Sequence, residues 1–251
     1  MITGFFFCNF ENKSIMKKFT FYLIAVVIGF SLLSCYHPQT ATGTKKATRN
    51  TKAIVKSVLV KADTIFHFEN DAVGKSPAGW TAYLTGRGKP CKWEVRNDAG
   101  NKVLAQVSQE QEDYRFNLIV NDSLSYKDVT ISVKFKGITG KNDQGGGPVW
   151  RFQDANNYYV ARANPLENNF RLYKVVNGDR HMLKSARLNI ETGKWYTLKV
   201  IMKANRITCY FDGKPELETT DGTFPQAGKI GLWTKSDART YFDDFSLTKL
   251  K

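Results

Sequence analysis

The sequence predicts an all-β protein, an antiparallel two-sheet sandwich, and three observations predict it. Apolar residues recur with a period of two in segment after segment, the spacing that sends alternate side chains of a strand to opposite faces. Gly, Asn and Asp punctuate these segments where tight turns need them. No window carries a sustained 3.6-residue apolar period, so no long helix is expected.

The first element is a leader. Met16-Lys17-Lys18 is a short basic start, Phe19 to Leu33 is an uncharged apolar run, and Leu32-Leu33-Ser34-Cys35 closes it. Basic start, apolar middle and small residue at the cut make a secretory signal. The run is shorter than the roughly 20 residues a helix needs to span a bilayer. Leu-Leu-Ser-Cys resembles the bacterial lipobox, which implies that Cys35 becomes the lipid-bearing first residue of the mature chain. Residues 1–15 read as an upstream extension with Met16 as the start, which would remove Cys8. Residues 1–35 are thus expected to be extension plus signal. Tyr36 stands where the inner-membrane retention signal resembles an Asp, so the expected location is the outer membrane, with contact to the bilayer through the N-terminal lipid.

Residues 36–62 follow as an expected tether, rich in Thr, Lys, Ala and Asn. A stretch this polar cannot bury enough surface to offset chain entropy. It also explains much of the charge. The whole chain carries +14, and residues 1–61 hold nine basic residues against one acid, Glu11. The rest is spread thinly, whereas a nucleic-acid protein concentrates its cations on one element. Nucleic acid is therefore not an expected partner. The basic tether suits either anionic lipid and polysaccharide or a plain solvated spacer.

Residues 63–251 are expected to form one domain, long enough for a sizeable core. Val103, Ala105 and Val107 alternate with polar neighbours, as do Phe116, Leu118 and Val120. Val129, Ile131, Val133 and Phe135 give the cleanest case, repeated by Tyr196, Leu198, Val200 and Met202 and by Ile207, Cys209 and Phe211. Asn177-Gly178 and Asp212-Gly213 predict hairpins, since both turn residues need positive φ. Gly145-Gly146-Gly147-Pro148 reads as a flexible loop. It does not cradle phosphate, because a strand pattern at Val149–Gln153 follows rather than a helix N-terminus. Cys91 and Cys209 both lie in alternating patterns. An oxidising compartment permits a disulfide between them; two small buried hydrophobes are the favoured reading. No Cys/His spacing suggests zinc.

Several segments together carry a resemblance. Gly193-Lys194-Trp195-Tyr196-Thr197-Leu198-Lys199-Val200 with Ile207-Thr208-Cys209-Tyr210-Phe211-Asp212-Gly213 resembles the paired strands of concanavalin A-like and laminin-G-like jelly rolls. Val149-Trp150-Arg151-Phe152 and Asn157-Tyr158-Tyr159-Val160-Ala161-Arg162 are similar to the same superfamily. Gly231-Leu232-Trp233-Thr234-Lys235-Ser236-Asp237 leading to Tyr241-Phe242-Asp243-Asp244-Phe245 resembles the closing strands of family 16 glycoside-hydrolase-like, or 3-keto-disaccharide hydrolase, domains. The resemblance implies a jelly roll over nearly all of residues 63–251. It leaves function open, because such folds host lectins, hydrolases, lyases and adhesion modules. One departure matters. Family 16 hydrolases carry E-x-D-x-E on one strand, whose alternation places the carboxylates on one face for nucleophile and acid roles. This chain has no such strand. Glu110-Gln111-Glu112-Asp113 is the nearest acidic cluster and reads as a solvated turn.

Three candidate sites follow. The first is a sugar-binding face built from Arg151, Arg162, Asn164, Arg171, Tyr173 and Trp233, beside Trp150 and Tyr158. Aromatic faces stack on sugar C–H patches while planar donors bind hydroxyls; the expected ligand is a poly- or oligosaccharide. The alternative is aromatic core with solvated Arg. The second is a structural Ca²⁺ held by Glu69 and Asp244, since first and last strands are often neighbours; the alternative is turn capping. The third is catalysis by Asp237, Lys235 and Tyr159, implied by the resemblance alone. His37, His67 and His181 have no acidic or nucleophilic neighbour in sequence.

Overall fold

A computed structural model describes residues 62–251. Cys35, Cys8, His37, the expected extension and signal of residues 1–35 and all of the expected tether but its last residue lie outside the described residues. Every strand–strand pairing in the described part is antiparallel, and the strands form two sheets. Along the first run β13 (Lys214–Thr220), β12 (Arg206–Phe211), β11 (Tyr196–Lys203), β6 (Val129–Thr139), β15 (Arg239–Lys249), β4 (Asn101–Gln106) and β3 (Trp93–Asp98). β1 (Thr64–Phe66) also pairs with β15, Ile65 opposite Ser246, so first and last strands are neighbours as expected. Along the second run β10 (Asp179–Arg187), β9 (Asn169–Val176), β8 (Asn157–Asn164), β7 (Gly146–Asp154), β14 (Gly228–Lys235), β5 (Arg115–Tyr126) and β2 (Trp80–Gly86). This is the jelly roll.

The core between the sheets takes one alternation set from each strand. Val129, Ile131, Val133 and Phe135 of β6 and Leu198, Val200 and Met202 of β11 meet Trp150, Tyr159, Ala161, Phe170, Leu172 and Leu232 from the facing sheet. Each of the larger aliphatic and Phe side chains, fully buried, contributes on the order of 1.5–3 kcal/mol.

The opposite alternation set is buried as well, and this was not expected. Phe116, Leu118, Val120, Val149, Tyr158, Val160, Tyr173 and Trp233 form a second cluster on the far face of the seven-stranded sheet. That sheet curls far enough to cover its own face. Tyr83 of β2 packs on Phe152 of β7 at 5.0 Å between rings, and Arg180 of β10 reaches 5.0 Å from the Phe116 ring of β5. Sheet twist supplies the curl, and register shifts at Lys229/Gly231 and between Trp150 and Asp154 sharpen it. Strands covered on both faces read as near-continuous apolar runs. In sequence such strands do not show which of their faces meets water.

Both predicted hairpins are present. Asn177 and Gly178 have φ of 52° and 90°, and Asp212 and Gly213 of 46° and 79°, the two consecutive positive values of a type I′ turn. The glycine run is a correction. Gly146 and Gly147 belong to β7, and a Cβ on Gly147 would stand 2.0 Å from the carbonyl oxygen of Ala161. Close approach of β7 to β8 requires the glycine, and loop flexibility does not enter. Cys91 and Cys209 are buried free thiols. Cys91 sits between β2 and β3 rather than within a strand, its thiol 3.0 Å from the Tyr83 carbonyl oxygen.

Candidate functional site

Alternation places Arg162 and Asn164 of β8, Arg171 and Tyr173 of β9, and Trp233 and Lys235 of β14 on the curled face. Arg162 pairs in register with Arg171 across the β8–β9 hairpin. At the end of the sheet where β14 leaves and β7 enters, the loop before β7 brings in Asp143, which is fully buried.

Asp143 is held by its neighbours. Its Oδ1 accepts the Gly145 N–H at 2.6 Å and the Asn164 side-chain amide at 3.2 Å. Its Oδ2 accepts no hydrogen bond from the protein, and the Lys235 ammonium stands 3.9 Å away. Burial pushes the Asp143 carboxyl above its ordinary value, partly opposed by Arg162.

Arg162 is 1% exposed. Its Nη2 donates to Glu167 at 3.0 Å, while its Nε and Nη1 donate to no protein group. The same Glu167 oxygen accepts from Arg171 at 2.8 Å and from the Asn169 amide at 2.9 Å. Burial works against the Glu167 carboxylate, but the Asn169 hydrogen bond and the Arg162 charge outweigh it and hold its pKa at about 2. The Tyr173 ring lies 5.9 Å from the Arg162 guanidinium and 4.5 Å from that of Arg180. Arg180 sits among Tyr173, Phe116 and Trp233, with one terminal nitrogen unpartnered. Lys235, Arg171 and Glu167 are the accessible rim, with side chains 17%, 31% and 35% exposed.

Arg162, Asn164, Arg171, Tyr173 and Lys235 therefore converge, and the other candidates need correction. Arg151 belongs elsewhere. It is 1% exposed, and its guanidinium donates to the carbonyls of Lys127, Phe224 and Ala204 at 2.9, 2.6 and 2.6 Å. A bulge residue with φ of 46°, it leaves the alternation and ties three loops. Tyr159 points into the main core, stacked on Trp150, and its hydroxyl donates to Asp221 at 2.6 Å. Burial and the adjacent Asp221 push its pKa to about 12, so it keeps its proton. Trp233 has no exposed surface; Phe116 and Arg180 cover it and its indole N–H donates to Tyr158 at 3.3 Å. It is a wall of the site and offers no stacking platform. Asp237 accepts the backbone N–H groups of Lys141, Asn142 and Asp143 at 2.7, 3.0 and 3.1 Å. It shapes the turn that presents Asp143, a positioning role. Glu110, read as solvated, pairs with the buried Arg115 at 3.1 Å.

Glu69 and Asp244 line one cavity of about 460 Å³ beside β1 and β15, with Asp243 and Asn101. The metal-type cluster there is His67, Asp243 and Asp244, with ligand atoms within 4.8 Å of one another, and it does not include Glu69. Glu69 instead accepts the Lys102 N–H. Asp244 accepts from Lys134 at 2.6 Å and pairs with His67 at 2.7 Å. A hard cation such as Ca²⁺ wants roughly 6–8 oxygens; here an ammonium and an imidazole already flank the carboxylate. His67 thus has the acidic partner that its sequence neighbours did not reveal.

Sequence reasoning missed Asp143, Glu167 and Arg180. Glu167 left a signal: it stands in the short turn between two Arg residues that a hairpin must set side by side.

Residues 63–248 match the family described as the 3-keto-alpha-glucoside-1,2-lyase-like domain. No curated protein matches the chain. Among solved structures, the carbohydrate binding module CBM66 from Bacillus subtilis is similar at 22% identity with a TM-score of 0.57, covering 68% of this chain and 96% of that one. A beta-glucanase from Bacillus licheniformis is similar at 16% identity and a TM-score of 0.50, covering 71% and 96%. At these identities the likeness establishes the fold.

Proposed function

Because the chain belongs to the 3-keto-alpha-glucoside-1,2-lyase-like domain family, we propose that it is a saccharide-recognition domain carried at the cell envelope by a lipid on Cys35. One observation carries the binding reading. Donors of Arg162 and an acceptor of Asp143 lie buried at the end of the curled face without protein partners. Unpaired buried polar groups cost about 1–3 kcal/mol each, and a ligand rich in hydroxyls repays that cost. The leader from Met16 to Cys35 supports the anchoring, with the outer membrane as its destination. Isothermal titration against a panel of plant, host and bacterial oligosaccharides tests the reading. Micromolar binding lost on Arg171→Ala supports it, and silence across the panel overturns it.

A second reading is enzymatic, favoured by the Asp143–Lys235 pair. A buried carboxyl with a raised pKa beside an ammonium suits proton transfer. On a 3-keto-glucoside, a base would take the proton at C2, the C–H pair would form the C1–C2 double bond, and the glycosidic oxygen would leave with its electron pair and be protonated. Release of aglycone from 3-keto-glucosides, abolished by Asp143→Asn, would place this reading first.

A further inference from the structure

The saccharide site has more cationic charge than it uses internally. Arg162, Arg171, Arg180 and Lys235 converge on one end of the curled face, against two carboxylates, Asp143 and Glu167. Glu167 is engaged through one oxygen, which takes hydrogen bonds from Arg162, Arg171 and Asn169. Asp143 sits at 0% exposure with its Oδ2 unpartnered, an environment that disfavours its charged form. What remains is a set of cations whose donors have nowhere to go. Arg162 keeps Nε and Nη1 free, Arg180 keeps Nη1 free, and Lys235 has Asp143 only at 3.9 Å. Neutral sugar hydroxyls would satisfy these donors one at a time. An anion with two or more charged oxygens would satisfy donors of separate residues at once through charge-assisted hydrogen bonds.

Resting on the saccharide-binding reading above, we infer that this site selects an acidic sugar, with the sugar's carboxylate or sulfate seated between Arg162 and Lys235 and next to the Glu167–Arg171 rim. Glu167 shows what the site accepts, since a carboxylate of the chain itself is gripped there by two guanidinium groups. Gly145 leaves the room. A Cβ on it would come within 2.9 Å of Arg162 Cδ and 3.1 Å of Nη1, so the absent side chain lets the loop pack beside the guanidinium without capping Nη1, and a ligand reaches it by displacing this short loop. The aromatic residues Tyr173, Phe116 and Trp233 are covered by Arg180 and wall the site, leaving charge rather than ring stacking as the source of selectivity.

The test is titration calorimetry of the full protein in detergent with four matched probes: tetragalacturonate, its fully methyl-esterified form, a sulfated galactose disaccharide and the unsulfated disaccharide. The expected result is at least tenfold tighter binding of an acidic probe than of its neutral partner at 50 mM salt, with the difference shrinking at 500 mM as charge is screened. The two acidic arms tell carboxylate from sulfate. Lys235→Met and Arg171→Gln, both at partly exposed positions, are expected to bring the ratio of acidic to neutral affinity toward one, with circular dichroism confirming that each variant folds. Equal binding of acidic and neutral probes overturns the inference and leaves the saccharide reading standing. No binding of any probe, together with silence across the wider panel, overturns both.

Discussion

Arg151→Met separates a structural arginine from a ligand-binding one. The Arg151 guanidinium supplies the hydrogen bonds to the carbonyls of Lys127, Phe224 and Ala204, and its neighbour Asp128 lies 3.4 Å away. Methionine fills the volume but leaves three carbonyls without that donor and removes the cation beside Asp128, which keeps only the Ala204 N–H at 2.7 Å. Hydrogen bonds to a charged group are worth about 1.5–3 kcal/mol each, so three come to about 5–9 kcal/mol before any offset. Relief of the cost of burying the cation returns part of it, so the expected net loss is about 3–5 kcal/mol, the usual consequence of removing one partner of a buried charged network. For a domain of this size about 2–4 °C of Tm follows each kcal/mol, giving a fall of about 6–20 °C. Urea denaturation of wild type and variant measures the loss, and calorimetry on the folded variant measures glycan affinity. The reasoning predicts lost stability with unchanged affinity. A variant within 1 kcal/mol of wild type that no longer binds glycan would refute it.

Other outcomes are expected. Gly145→Ala drives a methyl group to 2.8 Å from Asp143 Oδ1 and 2.9 Å from Arg162 Cδ; overpacking of this kind costs about 1–3 kcal/mol, and binding measured by calorimetry should weaken at least tenfold. Glu167 has a folded pKa of about 2, below its unfolded value, so its stabilisation is full above about pH 4.3 and drains away as pH falls toward 2. Urea midpoints between pH 5 and 2.5 should therefore fall more steeply for wild type than for Glu167→Gln, by a modest amount because the carboxylate is a third exposed to screening water. Cys35→Ala should abolish incorporation of labelled palmitate and move the protein from the membrane to the soluble fraction of cells; retention with label would sink the lipid reading.

The strands and hairpins were legible because period-two patterning and Asn-Gly or Asp-Gly turns are local signals, carried by residues such as Val129 to Phe135 and Asp212-Gly213. The site was half legible. Arg162, Arg171 and Lys235 announce themselves as charges inside apolar strands. Arg151 and Tyr159 look the same in sequence, yet a bulge turned one aside and alternation buried the other. A single shift of register decides which face a residue takes, and no local pattern reports it. Asp143 and Glu167 come from loops whose positions depend on Asp237 and on the curl of the whole sheet. That curl also made Trp233 a wall, since coverage by β10 is set by strands far away in sequence.

The central claim is that the Arg162–Asp143–Lys235 end of the curled face holds the saccharide. Side-chain and backbone NMR of the labelled protein during titration with tetragalacturonate tests it most directly. The account predicts saturable shifts at Arg162, Gly145, Arg171 and Lys235, with the His67–Asp243–Asp244 cavity silent. Shifts confined to that cavity, with Arg162 and Lys235 unmoved at saturation, would contradict it.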